Sequence, residues 1–166
     1  MNVYTDDMTE LAHQAYRAGL HAEAEALLRL VIGHGAHDAH ALYFIGHLCH
    51  LQGRLQDALA YLDMALTVDP DNAFAHNDMG ETLRALGQLD RAVSHFERAI
   101  ALQPHLAQPY GNLATTLLTT GQPDDALSIA ERGLMWGISP ILCSSPRPVS
   151  GMGSVRRWVS TRSSRP

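Results

Sequence analysis

The chain has no lysine anywhere in its 166 residues, and only two cysteines, Cys49 and Cys143. Two isolated thiols make neither a disulfide framework nor a C-x-x-C zinc pair, so both are read as plain reduced thiols. No apolar run approaches the roughly 18 residues that a spanning helix needs. The start, Met1-Asn2-Val3-Tyr4-Thr5-Asp6-Asp7, has no cationic region followed by an apolar stretch, so it does not read as a secretion signal. A cytoplasmic location is expected by default. Also missing are H-E-x-x-H, G-x-S-x-G, a P-loop and a paired-carboxylate arrangement, so no enzyme, metal or cofactor is expected. Positive charge is scarce and unevenly placed: residues 1–139 hold seven arginines against all 17 acids, while residues 140–166 hold five arginines and no acid. An acidic body excludes a phosphate-binding surface, because nucleic-acid affinity comes mainly from Lys and Arg neutralising phosphates. No nucleic-acid partner and no membrane contact are expected.

What the chain does have is a period. Gly19, Gly53, Gly87 and Gly121 stand 34 residues apart, and so do Ala24, Ala58, Ala92 and Ala126. Two columns keeping one spacing through four copies mark a repeat architecture. With copies starting at Thr5, Ala39, Ala73 and Ala107, the seventh position reads Leu11, Ile45, Met79, Leu113 and the eighth reads Ala12, Gly46, Gly80, Ala114. The twenty-fourth reads Leu28, Leu62, Phe96, Ala130, the twenty-seventh reads Val31, Ala65, Ala99, Gly133, and Pro70 and Pro104 close the middle copies. Small residues at positions eight, twenty and twenty-seven let two helices approach, and the large ones beside them fill the core. Glycine at position fifteen ends the first helix, where it alone takes the left-handed conformation cheaply.

These columns resemble the tetratricopeptide repeat family over about residues 5–137. The resemblance implies an all-α solenoid of four helix-turn-helix repeats at about 5–38, 39–72, 73–106 and 107–137, within an array spanning 1–137. Helices are expected at about 5–18, 21–33, 39–52, 55–68, 73–86, 89–102, 107–120 and 123–135. The first copy is degenerate, with Met8 where the family often has a bulky aromatic and a loose Gly33-His34-Gly35-Ala36 stretch. The fourth departs at Ala130 and Gly133, and no solvating helix follows it. Residues 138–166, rich in Ser, Pro and Arg, read as a disordered tail. A change of coding frame in a longer parent protein would give the same composition. Gly151-Met152-Gly153 only superficially matches a dinucleotide fingerprint, since neither a strand nor a third glycine accompanies it.

The family resemblance also implies that the first helices line a concave groove. The residues it places there include His13, Tyr16 and Arg17; His40, Tyr43, Phe44, His47, His50 and Leu51; Phe74, Asn77, Asp78, Glu81 and Arg84; and Asn112, Thr115, Leu118 and Thr119. Aromatic anchors beside adaptable polar groups suit peptide recognition, although the same residues would also serve as an ordinary solvated face. Tyr43 and Asn77 are expected to be replaceable by alanine with little loss of stability. The positions with which some relatives clamp an acidic chaperone tail are here Thr9, His13, Phe44, Phe74 and Asp78, which offer little positive charge. The asparagine ladder of certain protein glycosyltransferases, at the sixth position, is matched only by Asn112.

Ten histidines raise the question of metal. His40 and His47 lie about 10.5 Å apart along one helix, too far for one ion. His47 and His50 could chelate with His13, yet no Cys or carboxylate stands at an obvious completing position, so the polar reading is preferred. The chain is therefore expected to be an interaction scaffold for a protein or peptide, with self-association through its uncapped fourth repeat a further possibility. The alternative is the substrate-recruiting front of a larger enzyme, such as a glycosyltransferase or sulfotransferase.

Overall fold

The computed structural model describes residues 3–33 and 38–136. The expected tail, residues 138–166, and most of the Gly33-His34-Gly35-Ala36 stretch lie outside these. Eight helices run in chain order: α1 Val3–Arg17, α2 His21–Gly33, α3 Ala39–Leu51, α4 Leu55–Val68, α5 Ala73–Ala85, α6 Leu89–Leu102, α7 Ala107–Thr119 and α8 Pro123–Met135. Each packs on the helix before and after it, and α5 also touches α3 and α7. The first helices of the repeats therefore stand side by side, as a solenoid requires.

The turns within repeats share one construction. Gly19, Gly53, Gly87 and Gly121 all have φ between 75° and 78°, the left-handed region in which a Cβ is strained. In each turn the following N–H bonds back five residues, as in Arg54 N to the Cys49 carbonyl and Gln88 N to the Leu83 carbonyl, both 2.9 Å. That bond satisfies a carbonyl the helix end would otherwise leave unpaired. Entry into the next repeat is sequence-coded as well: Asp38 Oδ1 accepts from His40 N at 2.9 Å, and Asn72 Oδ1 accepts from Ala75 N at 3.0 Å. Pro123 opens α8, where its missing N–H costs nothing.

The repeated columns form the core. Ala24, Ala58, Ala92 and Ala126 are buried, as are Leu28, Leu62 and Phe96. The glycines at the eighth position mark the closest approach. A Cβ on Gly46 would stand 2.7 Å from Leu62 Cγ, and one on Gly80 would stand 2.6 Å from Phe96 Cε1. Gly133, a departure from the family pattern, answers to a neighbour: its Cβ would meet Tyr110 Cγ at 3.3 Å.

One core column fails at its first member. Leu11 is 51% exposed, although Ile45, Met79 and Leu113 at the same repeat position are buried. Those three each have the second helix of a preceding repeat against them; among the described residues α1 has none. The amino acid obeys the pattern, but burial needs a neighbour on both sides.

Candidate functional site

The candidate site lies on the face shared by α1, α3, α5 and α7. Helical spacing sends positions five, six, nine and twelve of each first helix to one side. His13 and Tyr16 come from α1, His40, Tyr43, His47 and His50 from α3, Phe74, Asn77, Glu81 and Arg84 from α5, and Asn112 and Thr115 from α7.

At the α1–α3 end the face is aromatic. The His13 and Phe44 rings lie 4.5 Å apart, Tyr16 meets Phe44 edge-on at 5.2 Å, and Tyr43 is 6.2 Å from His47. His40 stacks over Phe44 at 6.1 Å. A shallow hollow of about 350 Å³ opens there, lined by Glu10, His13, Tyr16, Arg17 and Phe44. Burial lowers the basicity of His40, and the neighbouring His13 adds to this. Burial also raises the Tyr43 phenol, and the Asp78 carboxylate raises it further.

From this end a line of polar contacts crosses all four first helices. Tyr16 Oη lies 3.2 Å from His47 Nε2, and His47 Nδ1 lies 2.7 Å from Asp78 Oδ2. A carboxylate only accepts, so His47 Nδ1 carries the proton and donates; in the neutral ring the Tyr16 hydroxyl then donates to Nε2. Burial, the largest influence on His47, works against its charge, but the bonded Asp78 and then Glu81 outweigh it and hold the imidazole above its ordinary range.

The line continues through two amides. Asn77 Nδ2 donates to Asp78 Oδ1 at 3.2 Å and to Glu81 Oε1 at 2.9 Å. Asn112 Nδ2 donates to Asn77 Oδ1 at 3.1 Å and to Glu81 Oε1 at 2.7 Å. The amide orientations are forced, because only N–H groups can face the two carboxylates. Beside the line, His50 Nδ1 sits 3.0 Å from Thr82 Oγ1, whose hydroxyl donates to the Asp78 carbonyl at 2.7 Å.

The structure thus unites Tyr16, His47, Asn77, Glu81 and Asn112 in one network, sets His50 beside it on Thr82, and groups His13, His40 and Tyr43 at its aromatic end. It does not draw in Phe74, Arg84 or Thr115 directly. Phe74 is 44% exposed, Arg84 is exposed one turn beyond Glu81, and the Thr115 hydroxyl turns back to its own helix at Gly111. Asn77 corrects an expectation: at 2% exposure it is a buried structural member of this face, so its removal cannot leave stability untouched. Asp78 and Phe44, at the sixth position like Asn112, were expected on this face from the repeat register, and the structure has Phe44 under the aromatic rings and Asp78 on the His47 ring. The column itself was the signal. The proposed chelate of His47 and His50 with His13 is not assembled: both ring nitrogens of His47 are engaged, and His13 Nδ1 meets the Thr9 carbonyl at 2.8 Å. Among the described residues no group of three or more His, Cys, Asp or Glu side chains is placed to hold an ion.

Helix pairs in a 34-residue period, stacked with their first helices on one face, define a helical-repeat scaffold. A tetratricopeptide repeat model matches residues 38–105 and 71–134, and the chain belongs to the tetratricopeptide repeat family. Solved structures share the fold. A crystal structure of MamA is 20% identical with a TM-score of 0.75, covering 80% of this chain and 78% of that one. YrrB, described as a tetratricopeptide protein with an unusual peptide-binding site, is 20% identical with a TM-score of 0.67, covering 75% of this chain and 64% of its own. An O-GlcNAc transferase mutant from Thermobaculum terrenum is 25% identical with a TM-score of 0.70; the match covers 77% of this chain and 26% of the transferase. A sequence search of curated proteins found no match. Among the described residues no helix is long and apolar enough to cross a membrane.

Proposed function

We propose that the chain is a non-catalytic scaffold that holds an extended segment of a partner protein along the face of its four first helices. The observation that carries this reading is the continuity of that face. Aromatic rings at α1 and α3 pass into the line from Tyr16 through His47, Asp78 and Asn77 to Asn112, so one continuous aromatic and polar face crosses the four first helices. A peptide gains from such a surface because its side chains meet rigid aromatic anchors while its polar groups meet fixed partners. The described YrrB peptide site supports the same use of the fold.

The test is to recover a partner by affinity capture and measure its affinity for paired variants. Tyr43→Ala on the groove face is expected to weaken binding by about 1–3 kcal/mol. Asp63→Ala and Glu97→Ala, exposed on second helices, are expected to leave it unchanged. The opposite pattern would move the working surface to the second helices.

A second reading, that this array recruits substrates for a larger glycosyltransferase, is favoured by the likeness to the Thermobaculum terrenum enzyme. Reading the surrounding gene in all frames separates the two. A catalytic region in continuation of the array supports the enzyme reading.

A further inference from the structure

The groove network has a bias in its hydrogen-bond inventory that narrows the partner's chemistry. At its centre every amide N–H is already committed: Asn77 Nδ2 to Asp78 and Glu81, and Asn112 Nδ2 to Asn77 and Glu81. The Thr82 and Thr116 hydroxyls donate to carbonyls of their own helices. What remains is acceptor capacity. Among the described residues Asn112 Oδ1 and Glu81 Oε2 take no hydrogen bond, His50 Nε2 standing 3.8 Å from Glu81 Oε2, beyond hydrogen-bond distance. The Glu81 side chain keeps about a quarter of its surface open.

Two further observations agree with a donor-rich ligand. The half-buried rings of Tyr16 and Tyr43 lie on the same face, packed over the buried Phe44, and their open edges offer a guanidinium a place to stack. The cations on this face are few: Arg17 is paired with Glu10 at 3.2 Å, which leaves Arg84 as the exposed guanidinium beside Glu81. Residues 1–139 as a whole carry 17 acids against seven arginines.

From this we infer that the groove selects an arginine-bearing segment, with one guanidinium taken by Glu81 Oε2 and Asn112 Oδ1. The assignment rests on the scaffold reading above and adds the chemical class of the partner. A guanidinium offers planar paired donors and no acceptor, which complements acceptors left open where the amide and threonine donors are already committed, with the exposed Arg84 as a competing cation. A carboxylate in the same place would meet the like charge of Glu81.

The probes are short fluorescent peptides on one Ser/Gly/Ala frame, differing only in carrying arginine, lysine, glutamine or glutamate at the centre, read by anisotropy against the full chain. The chain's own Arg147, Arg156, Arg157, Arg162 and Arg165 are changed to Gln in a parallel preparation, which removes self-competition. The arginine peptide is expected to bind at least about tenfold tighter than the glutamine peptide, and to weaken with salt. Glu81→Gln is the decisive variant, because Gln keeps an oxygen for Asn77 and Asn112 while presenting N–H where Oε2 stood. It should remove most of the arginine preference while the helical content, read by circular dichroism, is retained. Arg84→Gln should strengthen arginine binding. A preference for glutamate, or an arginine preference indifferent to both variants, overturns the assignment. A captured partner that sits on this face through acidic or purely apolar contacts overturns it too while leaving the scaffold reading intact. A captured partner insensitive to every groove variant sinks both.

Discussion

His47 Nδ1 stands 2.7 Å from Asp78 Oδ2, a bond 31 residues long in sequence that ties the second repeat to the third. Although burial opposes the charge, Asp78 and Glu81 outweigh it and hold the His47 imidazole above its ordinary range, so folding favours the charged ring more than the unfolded chain does. A raised pKa contributes stability that is fully present below the unfolded value and is lost as pH rises through the folded one. Replacing Asp78 by Asn removes the charge with little change in shape. An NMR titration of the His47 ring should then show its midpoint falling. An unchanged midpoint would mean that Asp78 is not what holds the charge.

His76 and His95 carry the opposite sign. His76 Nε2 must donate to the Pro70 carbonyl at 3.0 Å, so in the neutral ring its Nδ1 is the acceptor for His95 Nδ1–H at 3.1 Å. Burial is the main cause lowering both pKa values from 6.5, and for His95 the neighbouring His76 adds to it. Stability from this pair is complete above pH about 6.5 and is lost as pH falls from there toward the folded values. Urea unfolding at pH 7.5 and 5.5, chosen to bracket about 6.5, should show a loss that His76→Gln reduces. Equal acid sensitivity in the variant would exclude the pair as its source.

Asn77→Ala is expected to destabilise the fold by about 1–3 kcal/mol, since it strips a buried amide and leaves Asn112 and Glu81 short of a partner. Chemical denaturation measures it directly. A cost below the error of the method would show that the network is only a surface decoration.

Gly80→Ala tests the tightest helix contact. Its new Cβ would fall 2.6 Å from the Phe96 ring, so the ring or α6 must shift, at a cost of about 1–3 kcal/mol. An unchanged melting temperature would mean that the α5–α6 packing yields freely.

The last repeat offers the face that earlier repeats cover. On α8, Leu127 is 58% exposed and Leu134 is 55% exposed, whereas Val93 and Ile100, one repeat earlier, pack in the cluster that includes α7. A second copy meeting this face would continue an interface the chain already makes three times. Sedimentation velocity should therefore show association that grows with concentration and is abolished by Leu127→Glu. A monomer across the whole range would exclude that arrangement.

The fold was legible before any coordinates because a repeat states its own geometry. Gly19, Gly53, Gly87 and Gly121 mark the turns, the alanine column marks the contact line, and the observed helix ends fall within two residues of the expected ones. The local causes, left-handed turns and small residues at helix crossings, act within a window that a linear sequence displays. Even the unusual Gly133 carried its meaning in a column, although the partner it accommodates, Tyr110, lies 23 residues away.

What a linear reading could not supply was which polar residues of the shared face bond to one another. Asn77 and Glu81 occupy the fifth and ninth positions of one helix, and nothing in their spacing says that both turn to Asn112 on the next. Nor does a column predict that Leu11 stays half open while Ile45 is sealed. Hydrogen-bond partners and burial are properties of pairs brought together across repeats. The sequence by itself determined the helices, their turns and their stacking order; tertiary structure alone decided that the Asn77 and Asn112 amide donors are committed to Asp78, Glu81 and each other across the repeats.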